Sequence, residues 1–178
     1  MRSRSMPITI LLAPLAANGC MSDPHAASAS WLDSPKPDSW NTPGEQVPLA
    51  PKHERPADAR CHDLARPPQL REDEAVSERG WDLAGEFRGG WDVVVVQGAA
   101  AYDGMCRPLQ YQSFVFVDGE FAGTLSPEPM DSRTDGALGH ITLHSGTQLT
   151  AEYSRYEESD PLCCPSRRTV VTFEIATH

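Results

Sequence analysis

The residues from Cys61 onward predict an α+β fold: a mostly antiparallel β-sheet of about six strands with one short N-terminal helix, stapled by disulfides. Three observations carry that expectation. Runs of β-branched and aromatic residues recur between turn residues from Trp91 to Ala176. Asp118–Gly119 separates two apolar runs, the strongest short-range mark of a hairpin, because a type I′ turn needs positive φ at both positions. Four cysteines, Cys61, Cys106, Cys163 and Cys164, follow a segment that reads as an export signal, and an even count in an oxidising compartment reads as disulfides.

In chain order, Pro67–Arg79 predicts the helix: proline at its start, Glu72, Asp73 and Glu74 in the early turns, Gly80 where a terminating glycine belongs. Its apolar face is thin (Leu70, Ala75, Val76), so it should cap a sheet. Trp91–Ala101 predicts a central strand. Leu109–Val117 and Glu120–Leu125 flank the Asp118–Gly119 turn. Ala137–Leu143, Gln148–Tyr156 and Thr169–Ala176 complete the six, with Leu149, Ala151 and Tyr153 sharing one face.

The chain divides into three parts. Residues 1–19 resemble a secretory signal, with Arg2 and Arg4 ahead of an apolar stretch of about ten residues and small residues before a cut. Gly19 followed by Cys20 resembles the lipobox of bacterial lipoproteins, which implies a diacylated (palmitate-bearing) Cys20 as the first mature residue. A cut near Ala17 would instead release a soluble protein. The apolar stretch contains Pro14 and falls short of the ~20 residues needed to span a bilayer. Residues 20–60 carry seven prolines and read as an extended tether, with Trp31 and Trp40 unaccounted for. Residues 61–178 form a single domain.

That domain holds 19 Asp and Glu against nine Arg and no Lys. Such a surface disfavours nucleic acid and direct contact with anionic headgroups, and suits solubility. Among the four domain cysteines, a Cys163–Cys164 bond is excluded on the ground that adjacent residues would close a strained ring. Cys163 and Cys164 are therefore expected to find different partners, Cys61 and Cys106. With no CxxC and no spaced Cys/His pairs, redox and zinc roles are disfavoured.

Tests for chemistry mostly fail. Asp131–Gly136 begins like a calcium loop, but Arg133 and Thr142 stand where ligands are required. His140 and His144 lie on a predicted strand, ~13 Å apart, too far for joint chelation. The carboxylates of Glu157, Glu158 and Asp160 read as a solvated cluster. No nucleophile elbow, phosphate loop, dinucleotide fingerprint or zinc-protease helix occurs, so no catalytic residue, metal or cofactor is assigned. The most distinctive segment is Tyr153–Arg168 (YSRYEESDPLCCPSRR), whose Arg155, Asp160 and Arg167 form a candidate ligand rim.

The run FVFVDGEFAGTLSP (Phe114–Pro127), a later strand ending at Tyr156, and CCPS (Cys163–Ser166) before a last strand resemble the LppP/LprE family of bacterial lipoproteins over about residues 106–176. The resemblance implies location and architecture, with no assigned biochemical activity. The expected function is a lipid-anchored cell-envelope binding or structural module, exported to the periplasmic or cell-surface face of a bacterial membrane. Its partners would be the membrane, through Cys20, and an unknown envelope protein or small ligand. Two other readings stand beside it: a thiol-dependent redox protein or envelope enzyme using Cys163/Cys164, and a secreted inhibitor.

Overall fold

The computed structural model describes residues 30–52, 61 and 63–175, with side chains throughout except at 86–88. Its middle layer is built on the valine run. Strand β2 (Val93–Tyr102) is covered on both faces: Val93, Val95 and Ala99 enter one apolar cluster, Val94, Val96 and Ala100 the other. A strand without a solvent face has no position to mark with polar residues, so VVVV runs continuously instead of alternating.

Strands β1 (Asp82–Gly90), β2, β3 (Pro108–Val117) and β4 (Glu120–Thr124) form an antiparallel four-stranded sheet in sequence order. β5 (Leu138–Ser145), β6 (Gln148–Arg155) and β7 (Arg167–Glu174) form a second, three-stranded one. Met130 adds an isolated bridge to Tyr111. The larger cluster lies between the sheets, where Tyr111, Val115 and Val117 meet Leu149, Tyr153 and Phe173. The smaller covers the outer face of the four-stranded sheet with helix α1 (Arg71–Ser77), where Val76 and Val47 meet Trp81, Phe114 and Phe116.

The class matches the expectation, but the strands exceed six and divide between two sheets. The missed strand is β1. Gly85, Gly89 and Gly90 erase its alternation, and its register shifts between Ala84 and Arg88. Trp91 and Asp92, expected to open the central strand, form the β1–β2 turn with φ of 52° and 63°. Asp118 and Gly119 make the expected hairpin, with φ of 51° and 81°. Helix α1 is shorter than predicted and is held from outside. Arg66 forks onto the buried Asp73 with two bonds of 2.6 Å, and the Gln69 N–H donates to the same carboxylate at 2.9 Å. Burial opposes ionisation of Asp73, but these donors outweigh it and hold its carboxyl below the ordinary range.

Residues 30–52 correct the tether. They lie as a strap across the domain, burying Leu32 and Val47. Trp31 packs edge-on against Tyr153 at 5.0 Å and against Trp40 at 5.4 Å. The Trp81 indole donates to the Pro48 carbonyl at 2.8 Å, and the Ala50 N–H to the Arg79 carbonyl at 2.9 Å. Proline disfavours regular secondary structure; it does not prevent packing when the strap's polar groups find partners on the domain.

The cysteine pairing is also corrected. Cys61 bonds Cys106, with Cα atoms 5.1 Å apart, and Cys163 bonds its neighbour Cys164. The contrary expectation rested on the strain of a ring closed between adjacent residues. Here the chain turns, and the Cys164 N–H donates to the Pro161 carbonyl at 2.9 Å.

Candidate functional site

Both sheets end in an edge strand on the side where the strap crosses: β4 in one, β7 in the other. Between those edges lies a groove of about 300 Å³. Its apolar lining comes from Val115 and Leu125 of the four-stranded side, Leu149 of β6, and Phe173 and Ile175 at the end of β7. Phe121 and Ala122 of β4 complete it, and Pro37, Asp38, Asn41 and Pro43 of the strap form its roof. Alternation on β7 places Val171, Phe173 and Ile175 inward and leaves Glu174 exposed.

The polar groups near the groove are mostly committed. Asn41 Oδ1 accepts from the Thr124 N–H at 2.8 Å while its Nδ2 donates to the Thr124 carbonyl at 3.1 Å. The Trp40 indole donates to the same carbonyl at 3.2 Å. Tyr153 donates its hydroxyl to the Leu125 carbonyl, and burial pushes that phenol far above its ordinary range. Tyr111 accepts from the Leu138 N–H at 2.7 Å and is pushed up to about 12, chiefly by burial. At the mouth stand two exposed carboxylates, Asp38 and Glu174, and no Lys or Arg is among the lining residues. Gln148 donates to Glu174 at 2.9 Å.

The residues singled out from sequence are placed elsewhere. Arg155 binds Asp135 at 2.9 Å and Asp33 at 2.8 Å, fastening the strap to β6. Asp160 accepts from the Glu157 N–H at 2.8 Å and the Ser166 N–H at 2.9 Å, which hold its carboxyl below the ordinary range. Arg167 reaches Glu157 at 3.4 Å. None of the three lines the groove. Cys20 lies outside the described residues. His140 and His144 are exposed on β5, where His144 meets the Thr150 hydroxyl at 2.9 Å. Sequence reasoning missed the groove because its roof was assigned to the tether. The available signal was the apolar set Trp31, Leu32, Trp40 and Val47 within an otherwise polar, proline-rich segment.

Residues 91–177 match the model of the family described as LppP/LprE lipoprotein. Over those residues the chain is similar to the LppP/LprE lipoprotein family. No curated protein and no solved structure matches it. That similarity implies an envelope lipoprotein of unassigned activity. The matched region runs from the Trp91 turn through β7, so every groove residue from the two sheets lies inside it. The roof residues Pro37, Asp38, Asn41 and Pro43 lie outside it. Among the described residues, no helix is long and apolar enough to cross a membrane.

Proposed function

We propose that this chain is a lipid-anchored envelope binding protein, held at a bacterial membrane through a diacylated Cys20, whose groove takes a small amphiphile with a cationic head. The observation that carries the reading is the groove itself: an apolar lining closed by the strap, with Asp38 and Glu174 at the mouth. Its volume, about 300 Å³, stands at the lower end for ligand sites and favours one chain or ring system over a multi-chain lipid. Two rim carboxylates without a basic partner in the lining favour a positive head over an anionic one.

The anchor supports an amphiphile as well. Only the nine residues 21–29 separate Cys20 from the start of the strap at Ser30, a reach of at most about 35 Å. The groove roof begins seven residues later at Pro37, so a ligand leaving the bilayer surface would have a short path to it.

The test uses decylamine and decanoate, both below their micellar range, with the full chain. Decylamine is expected to raise the melting temperature in a saturable way and decanoate to leave it unchanged. Ala122→Trp, which fills the groove from β4, is expected to abolish the shift. An equal response to both probes, or a decylamine shift that survives in A122W, would refute the reading.

A further inference from the structure

The two cystines contribute to the fold very differently. Cys61–Cys106 joins residues 45 apart in sequence, and Cys61 is fully buried. Cross-linking so long a loop removes much of the unfolded chain's freedom. Cys163–Cys164 spans a single peptide unit and closes only the smallest possible ring, so that contribution nearly vanishes.

Nor is the bond needed to shape its surroundings. Asp160 already ties Glu157 to Ser166 across the loop. The Tyr156 hydroxyl donates to the Leu162 carbonyl at 3.1 Å, and Cys164 closes a turn onto Pro161 at 2.9 Å. Both cysteines are exposed, and Leu162 beside them is 67% exposed. The result is a disulfide of little structural use, presented to solvent on a preorganised loop with an apolar contact next to it. Access to sulfur is what thiol–disulfide exchange requires.

We infer that Cys163–Cys164 is a thiol–disulfide exchange site whose partner is a dithiol reductant of the envelope. The donor's thiolate attacks one of the two sulfurs, the Cys163–Cys164 bond breaks, and a mixed disulfide forms. The departing sulfur leaves as a thiolate and takes a proton from solvent. The donor's second thiol, on losing its proton, attacks the donor sulfur of the mixed disulfide, closing the donor's own disulfide. The second cysteine is released and protonated. Two electrons and two protons pass in all, and Cys61–Cys106 takes no part.

The full chain, oxidised and in native buffer, would be equilibrated with graded ratios of reduced to oxidised dithiothreitol. Trapping by alkylation and peptide mapping would then read each bond separately. Cys163–Cys164 is expected to open at a ratio at least tenfold lower than Cys61–Cys106, and to re-form when the ratio is reversed. In Cys164→Ser, the remaining Cys163 is expected to capture glutathione from its oxidised form with the melting temperature unchanged. A separation below tenfold, the reverse order, or pairing of either cysteine with Cys61 or Cys106 would overturn the assignment.

Discussion

Asn41 does with a side chain what a neighbouring strand would do with its backbone. Its amide pairs with both the N–H and the carbonyl of Thr124 and so covers part of the free edge of β4. The approach depends on Gly123, where φ is +143° and an added Cβ would stand 2.5 Å from the Asn41 Cγ. Asn41→Ala should lower stability by about 1–3 kcal/mol by leaving the Thr124 N–H unpaired, while the Thr124 carbonyl keeps the Trp40 indole. Gly123→Ala should cost at least as much, and urea unfolding of both variants would check this. Asp103 supplies the acid-sensitive counterpart. The Arg107 N–H, then the Arg107 guanidinium and the Met105 N–H, hold its carboxyl at about 2, below the ordinary 3.8. A carboxyl depressed in the folded state stabilises above its unfolded value, and that gain fades as pH falls. The urea midpoint should therefore drop between pH 3.8 and about 2, less steeply in Asp103→Asn. None of these roles was legible beforehand: Asn41 was one polar residue among many in a segment of low complexity, and Asp103 sits in a turn without a motif.

At the scale of elements, legibility followed the patterning. The Asp118–Gly119 hairpin and the strands around Leu149 and Phe173 could be read because turn chemistry and period-two alternation act locally. β1 could not, since three glycines remove the side chains that would show a face. The strap could not, because its order comes from residues such as Thr124, Tyr153 and Trp81 that are distant in sequence. The cysteine pairing failed because a bond between adjacent residues was excluded as strained, whereas the chain turns at Cys163–Cys164 and the two bond each other. The two bonds now make opposed predictions. Replacing Cys61 and Cys106 by Ser should cost about 4 kcal/mol for a loop of 45 residues. Replacing Cys163 and Cys164 should cost about 1 kcal/mol or less, and denaturant melts of the two double variants would separate them.

For the whole molecule, the strap makes the folded unit longer than residues 61–178. Leu32 and Val47 belong to the two clusters on either side of the four-stranded sheet, and Trp31 covers Tyr153. Burial of Leu32 alone is worth roughly 1.5–3 kcal/mol, a large share of the stability of a domain this size. A chain starting at Cys61 should accordingly lose its cooperative thermal transition or melt far below the full chain. The same strap roofs the groove, so the segment next to the proposed lipid anchor also closes the proposed binding site. The most direct measurement is a titration of decylamine into the isotope-labelled full chain, read as amide chemical shifts residue by residue. The account predicts saturable shifts concentrated at Ala122, Gly123, Phe173 and Ile175, with the loop around Cys163 unmoved. Non-saturating shifts spread over the acidic surface, or none at all, would contradict it.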